Sequence, residues 1–222
     1  MKVTLKELKF VTTEEKGYVS ALYAEPETVE ALLVLGHGAG THMQHSFMQD
    51  LSNALNQAKI ATFRFNYPYS EKGGGMDGEK VRLATVCAAV TTANNEVQEL
   101  PIFAGGHSMS GRMVSMACAQ GKMDQLKGII LFAFPLYSSK PSTERAEHLN
   151  SVIAPMLFLS GQRDKMANLK LLRPVVEGLD QATLHIIDTA DHSFKTLKRR
   201  NTDEPVMNEL ARISASWMLE KT

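Results

Sequence analysis

Short apolar runs alternate with longer stretches of helical periodicity along almost the whole chain. This alternation is typical of a mostly parallel sheet whose strands are connected by helices on both faces, an α/β fold. The predicted strands are Lys2–Val11, Tyr18–Ala24, Ala31–Leu35, Ile60–Phe65, Ile102–Gly105, Ile129–Phe134, Met156–Leu159 and Leu184–Ile187. The predicted helices are Met43–Ala58, Val81–Val97, Gly111–Gln120, Leu169–Gly178 and Glu204–Glu220. We expect the first two strands to form an antiparallel edge pair.

Polar residues of chemically reactive types lie shortly after the ends of four of these strands. They are His37 in a glycine-rich turn, Ser108, Asp164 and His192. The carboxyl ends of parallel strands share one crevice, and ligands bind there in open α/β sheets. The sequence therefore predicts that these four residues converge on one site.

The run Gly106-His107-Ser108-Met109-Ser110-Gly111 lies where a strand passes into a helix. A serine between small residues at such a turn is typical of a nucleophile elbow, although it could also be a helix N-cap. A hydroxyl needs a base, and His192 and Asp164 follow in the order Ser, Asp, His. We therefore predict Ser108 as nucleophile, His192 as base and Asp164 as the residue that orients the imidazole.

Neighbouring residues offer alternatives to this assignment. Asp191 adjoins the histidine and competes with Asp164, but it is better explained as a turn residue. Asp188 ends a strand and could cap the loop. His107 lies inside the elbow, where we expect it to point away from the serine and to pack or form hydrogen bonds.

A tetrahedral intermediate also needs backbone donors for its oxyanion. The amide of Met109 follows the nucleophile and is the first candidate. The second should come from the turn after Ala31–Leu35, where we favour Ala39 over Gly38 and Gly40. We predict no metal site, because His42, His45 and His148 have no carboxylate or cysteine at ligand spacing.

Length and charge restrict the remaining classes of function. The 222 residues suit one domain spanning 1–222, and 24 basic residues balance 24 acidic ones. This balance argues against nucleic acid or a membrane surface as partner and leaves a small-molecule substrate. Two cysteines and a charged N-terminal segment predict a cytoplasmic protein without a disulfide framework. The basic run Lys195, Lys198, Arg199 and Arg200 is either a solvated surface or an aid to anionic substrates.

With these motifs the chain resembles the α/β-hydrolase superfamily over nearly its whole length. It is similar to a small branch without a lid, which includes dienelactone hydrolases and the hydrolase-like domain of a histone-acetyltransferase complex subunit. Dienelactone hydrolases have cysteine where this chain has Ser108, and the fifth elbow position, usually glycine, is Ser110 here.

The resemblance implies a cofactor-free serine hydrolase for carboxylic esters or thioesters, or alternatively a non-catalytic binding or scaffold protein. A lid domain would be inserted within Leu136–Ala154, which has room for little more than one short helix. We therefore expect an open cleft.

Overall fold

Residues 2–97 and 99–222, which the computed structural model describes, form an eight-stranded sheet flanked by helices. The strands are β1 (Val3–Thr13), β2 (Gly17–Pro26), β3 (Ala31–Gly36), β4 (Ile60–Phe65), β5 (Ile102–His107), β6 (Gly128–Phe132), β7 (Met156–Gly161) and β8 (Ala182–Ile187). Their order in the sheet is β1-β2-β4-β3-β5-β6-β7-β8. β2 is antiparallel to both of its neighbours, β1 and β4. The remaining neighbours in this order, from β4 through β3 to β8, all pair in parallel. The predicted antiparallel edge pair and mostly parallel sheet are confirmed.

The helices cover both faces of this sheet. They are α1 (Ser46–Gln57), α2 (Pro68–Lys72), α3 (Glu79–Glu96), α4 (Met109–Ala119), α5 (Leu169–Glu177) and α6 (Val206–Leu219). One apolar cluster joins α1 and α6 to one face of the sheet, and a second joins α3, α4 and α5 to the other. Every residue of β3 and β4 is buried, as the continuous apolar composition of Ala31–Leu35 predicted.

Helix and strand boundaries differ from the predicted ones where local contacts decide them. α1 begins at Ser46 rather than Met43, because the ring of His45 accepts a 3.3 Å hydrogen bond from the amide of Phe47. β6 ends at Phe132 because Ala133 has a φ of 53°. The short helix α2 was not predicted, although Pro68 at its first position is a known start signal.

The segment between β6 and β7 matches the expectation that no lid is present. Its one helix among the described residues is a short 3-10 helix, Glu144–Ser151, which packs against α4. In the part of the chain that the structure describes, no helix is long and apolar enough to cross a membrane.

We expect Gly105→Ala to lower the free energy of unfolding by about 1–3 kcal/mol. A methyl group at Gly105 would lie 2.2 Å from the carbonyl oxygen of Ile130 in the paired strand β6, where only backbone movement can relieve the clash. Chemical denaturation measures the effect. Gly75→Ala is the control, since nothing lies within 4 Å of an added methyl there. Equal stabilities of the two variants would contradict the close packing of β5 on β6.

Candidate active site

Ser108 lies on a strained turn between β5 and α4. Its φ of 51° and ψ of −106° are unusual for a residue with a side chain. Its amide donates a 2.8 Å hydrogen bond to the carbonyl of Phe132 at the end of β6, which fixes the turn to the sheet. Strain of this kind persists only where the surrounding structure enforces it, so the geometry of Ser108 agrees with the predicted elbow.

The turn is held by an unusually tight group of small residues. The Cβ atom that Gly36 or Gly106 lacks would lie 2.6 or 2.5 Å from the Cβ of Ser110. Ser110 is fully buried, and its hydroxyl forms hydrogen bonds with the His37 carbonyl and with the Tyr67 hydroxyl, the latter at 2.8 Å. A serine therefore occupies the usual glycine position because two neighbouring glycines leave space for it.

The three predicted residues Ser108, His192 and Asp164 form one hydrogen-bonded chain. His192 Nδ1 lies 2.8 Å from Asp164 Oδ2, and His192 Nε2 lies 2.8 Å from Ser108 Oγ. A carboxylate only accepts, so Nδ1 carries the proton and Nε2 is left to accept from the serine hydroxyl. The Asp164 side chain is fully buried, and its other oxygen accepts a 2.7 Å hydrogen bond from the amide of Met166. This arrangement places an acceptor against the hydroxyl proton.

Backbone contacts bring the loops of Asp164 and His192 together. Gly161 permits a close approach, since a Cβ there would lie 2.5 Å from the carbonyls of Ala190 and Asp191. The amide of Arg163 donates to the Ala190 carbonyl at 2.8 Å. His107 Nε2 donates to the carbonyl of His192 at 2.9 Å, so His107 has the hydrogen-bonding role expected of it. Both loops are therefore fixed relative to the serine turn.

The two alternative acids, Asp191 and Asp188, accept hydrogen bonds from backbone amides of nearby loop residues instead. Asp191 Oδ1 accepts hydrogen bonds from the amides of Ser193 (2.9 Å) and Lys195 (3.0 Å), as a turn residue does. Asp188 Oδ2 accepts from the amide of Asn201 at 2.9 Å. Neither carboxylate is hydrogen-bonded to an imidazole among the described residues.

The two predicted oxyanion donors lie in the first turn of α4 and in the turn after β3. The first amides of a helix have no partner within the helix, which leaves that of Met109 available. The second turn is closed by Thr41, whose amide (3.3 Å) and hydroxyl (2.9 Å) both donate to the Gly38 carbonyl. Ala39 is exposed at this turn. Its part in catalysis stays a prediction.

Two histidines flank the site without belonging to the hydrogen-bonded chain: His37 is fully buried and His107 partly buried. Burial lowers the pKa of His37 and that of His107 to about 4 each. His37 Nε2 lies 3.0 Å from the Ser70 hydroxyl, and its ring packs edge-on against Tyr67. Both imidazoles are therefore neutral at pH 7 and act as fixed polar supports.

We expect the protein to lose stability on acidification already between pH 7 and pH 5, at pH values above those at which carboxylates become protonated. Unfolded imidazoles bind protons below about pH 6.5, whereas His37 and His107 bind them in the folded state only near pH 4. The unfolded state thus binds more protons in this window, and stability falls as the pH falls. The loss between pH 7 and pH 5 should reach about 2 kcal/mol for each histidine at most. Urea unfolding at the two pH values measures it, and an unchanged midpoint would contradict it.

A cleft of about 590 Å³ lies beside the site on the α1 and α6 side of the sheet. The turn residue Gly38 and the ring of His107 form part of its wall, together with the apolar side chains of Phe47, Phe194 and Met207. It offers an apolar surface next to the serine turn. Within the described ranges no group of three His, Cys, Asp or Glu residues is placed to hold a metal ion.

The basic run after His192 is only partly free to meet a substrate. Arg200 forms an ion pair with Glu209 and donates a 2.7 Å hydrogen bond to the Glu204 carbonyl. Lys195, Lys198 and Arg199 are exposed. A different basic group, formed by Arg82, Arg112 and Arg145, was not predicted, because these residues are far apart in the sequence.

Comparison with known proteins identifies the family. A family model described as an alpha/beta hydrolase domain matches residues 29–219. The chain belongs to the α/β-hydrolases. This α/β-hydrolase is 26% identical over 163 residues to the monoglyceride lipase of Rattus norvegicus, covering 70% of this chain and 51% of the lipase. The chain thus spans about half the length of that curated relative.

Solved structures agree on the fold. A dienelactone hydrolase from Anabaena variabilis superposes with a TM-score of 0.77 at 16% identity, covering 99% of each chain. A serine hydrolase without a lid from Xanthomonas campestris gives 0.73 at 17% identity, covering 100% of this chain and 96% of that one. The predicted likeness to dienelactone hydrolases and the predicted lack of a lid are confirmed at the level of fold. The likeness to a histone-acetyltransferase complex subunit stays a prediction.

Proposed function

We propose that this α/β-hydrolase is a serine hydrolase that cleaves carboxylic esters or thioesters through an acyl-enzyme intermediate. The observation that carries the proposal is the hydrogen-bonded chain from Ser108 through His192 to Asp164, with both distances at 2.8 Å. It starts from a serine on a strained turn at the carboxyl end of the sheet, where ligands of such sheets bind. The lipase and hydrolase names of its relatives support the same reaction class.

In this mechanism Ser108 Oγ attacks the carbonyl carbon while its proton passes to His192 Nε2. The imidazolium that forms is stabilised by the buried carboxylate of Asp164. When the tetrahedral intermediate collapses, the bond to the leaving oxygen or sulfur breaks and His192 returns the proton to that atom. Water then attacks the acyl-enzyme with His192 again acting as base, which releases the acid and restores Ser108.

The oxyanion of each tetrahedral intermediate would be held by the amides of Met109 and Ala39. The Met109 amide lies at the N-terminus of α4, where the helix dipole also favours negative charge. The Ala39 amide lies in a turn that Thr41 fixes in place. Donors that are fixed before the reaction need no reorganisation during it.

A fluorophosphonate probe tests this proposal directly. The wild type should be labelled, with the added mass located on the peptide that contains Ser108, and it should hydrolyse 4-nitrophenyl esters. A protein that folds but takes no label and hydrolyses no ester would instead be a scaffold with the hydrolase fold.

We expect kcat/KM of this enzyme to depend only weakly on acyl-chain length, with no gain beyond short chains. The cleft beside Phe47 and Met207 is open, and a fully buried methylene contributes about 0.8 kcal/mol, about fourfold in kcat/KM. A series of 4-nitrophenyl esters from acetate to dodecanoate should therefore rise by less than this factor per methylene and level off early. A steep rise through long chains would contradict the open cleft.

The variant Met207→Trp tests whether the cleft binds the acyl group. Met207 lies on the cleft wall and is only partly buried, so a larger side chain can project into the open space. We expect the variant to lose the advantage of butyrate over acetate while acetate hydrolysis continues. An unchanged chain-length profile would place the acyl group elsewhere.

A further inference from the structure

Three arginines converge beside the serine turn from three different elements. Arg82 lies in the first turn of α3, Arg112 lies one turn into α4, and Arg145 lies in the 3-10 helix Glu144–Ser151. All three are half-buried. We call them the arginine cluster. They lie on the α3 and α4 side of the sheet, opposite the apolar cleft formed by α1 and α6.

The backbone directs this cluster toward the reacting serine. Arg112 lies four residues after Ser108, about 6 Å along the helix axis, and its amide donates to the Ser108 carbonyl at 3.2 Å. Side chains on a helix lean toward its N-terminus, which for α4 is the serine turn. Both α3 and α4 begin at this edge of the sheet, so their N-terminal dipoles add to the positive potential.

Two contacts bring the cluster together. Arg112 pairs at 3.1 Å with Glu79, which lies one turn before Arg82 on α3, and the Ser115 hydroxyl, one turn after Arg112, lies 2.8 Å from the ring of His148, one turn after Arg145. In agreement, burial and then the charges of Arg112 and Arg82 lower the pKa of Arg145. Burial and the charge of Arg112 also lower the pKa of His148 to about 4, so this neighbour stays neutral. Among the residues that the structure describes, the carboxylate of Glu79 is the one that pairs with the cluster, 3.1 Å from Arg112.

Two arginines of the cluster also lack a carboxylate partner. Arg82 and Arg145 form no ion pair with a carboxylate within residues 2–97 and 99–222, and all three side chains are partly exposed. A ligand can therefore reach their guanidiniums, and charge-assisted hydrogen bonds to an anion are among the stronger hydrogen bonds. Of the three guanidiniums, that of Arg112 alone is ion-paired among the described residues, so the cluster keeps an excess of positive charge. A phosphate monoester carries a charge of about −1.5 to −2 at pH 7 and matches this excess.

Arg112 sets the distance between the cluster and the reaction centre. It lies one turn after Ser108, and its side chain leans toward the N-terminus of α4, where Ser108 lies. Tyr69 occupies the space toward the predicted oxyanion turn: its ring packs edge-on against His37, with 6.0 Å between ring centroids, and its amide donates to the buried carboxylate of Asp77 at 2.8 Å. A group bound by Arg112 and its neighbours would lie within a few bonds of a carbonyl held at Ser108.

We infer that Arg82, Arg112 and Arg145 bind a phosphate group on the alcohol or thiol half of the substrate. The inference rests on the proposed hydrolase activity. The acyl half then occupies the apolar cleft on the other side of Ser108. The substrate class is a phosphorylated ester or thioester, with the phosphate a few bonds from the scissile bond.

The experiment compares two esters that differ only by the phosphate, 1-butyrylglycerol and 1-butyrylglycerol 3-phosphate, at one ionic strength. We expect the wild type to prefer the phosphorylated ester by about tenfold or more in kcat/KM. Arg82→Gln and Arg145→Gln should each lower that ratio by about tenfold. Arg199→Gln is the matched control, since it removes an exposed arginine outside the cluster and should leave the ratio unchanged.

A binding measurement separates the two proposals. Inorganic phosphate should raise the melting temperature of the wild type and of Ser108→Ala, but not of Arg82→Gln or Arg145→Gln. Equal hydrolysis of the two esters by the wild type would overturn the phosphate site and leave the hydrolase intact. If neither ester is hydrolysed although phosphate stabilises the protein through these arginines, the hydrolase proposal fails and the phosphate site stands. A ratio that falls as much in Arg199→Gln as in Arg145→Gln would also overturn the site.

Discussion

Ser108→Ala should lower kcat/KM for ester hydrolysis by about 10⁴-fold or more and leave the stability of the fold unchanged. The variant keeps a Cβ on the strained turn, so the backbone conformation at φ 51° is as demanding for alanine as for serine. What it loses is the one atom that can attack a carbonyl and give its proton to His192 Nε2. Initial rates with 4-nitrophenyl butyrate and melting temperatures measure both effects.

Ser193→Ala is the control for this variant. Ser193 adjoins His192, but it is exposed, and its amide rather than its hydroxyl bonds to Asp191. We expect activity close to that of the wild type. Near-normal turnover by Ser108→Ala would refute the assignment of Ser108 as nucleophile.

Asp164→Asn should lower kcat by about 10⁴-fold, because it reverses the tautomer of His192. The Met166 amide holds the inner oxygen of residue 164 as an acceptor at 2.7 Å. An asparagine would therefore keep its oxygen there and turn its NH₂ group toward His192 Nδ1. His192 Nδ1 would then have to accept a hydrogen bond, so the imidazole proton would move to Nε2. There it would face the serine hydroxyl and leave no base for its proton. The pH dependence of kcat and the melting temperature together distinguish this effect from unfolding.

Asp191→Asn makes the same chemical change beside the same histidine. Its Oδ1 accepts from the amides of Ser193 and Lys195, and an asparagine oxygen can accept both hydrogen bonds. We expect little change in kcat. If Asp191→Asn were severe and Asp164→Asn mild, the acid would have been assigned to the wrong residue.

Strands, crossover helices and the convergence of Ser108, Asp164 and His192 could be predicted because local signals determine them. Each central strand is a short apolar run, and Ser108, Asp164 and His192 each follow the end of such a strand within about five residues. Parallel pairing then brings their carboxyl ends to one edge regardless of the details of packing. The helix starts were less predictable, because a contact such as that of the His45 ring decides them.

The arginine cluster could not be predicted for a different reason. Arg82, Arg112 and Arg145 are about thirty residues apart from each other and belong to no motif. Their proximity depends on how α3, α4 and the 3-10 helix pack on one another. Conversely, the adjacent run from Lys195 to Arg200 looks like one basic site in the sequence, although Arg200 is turned away to pair with Glu209.

The space around Ser110 also constrains how this sequence can vary. Gly36 and Gly106 both pack against the Ser110 side chain, so a methyl group added at either glycine would lie within 2.6 Å of it. At Gly36 the clash is with side-chain atoms alone, so the effects of changes at 36 and 110 should be non-additive. At Gly106 an added Cβ would also lie 2.6 Å from the Gly36 carbonyl oxygen, which no change at 110 removes. In an alignment of true orthologues glycine at 110 should therefore permit alanine at 36, while 106 stays glycine.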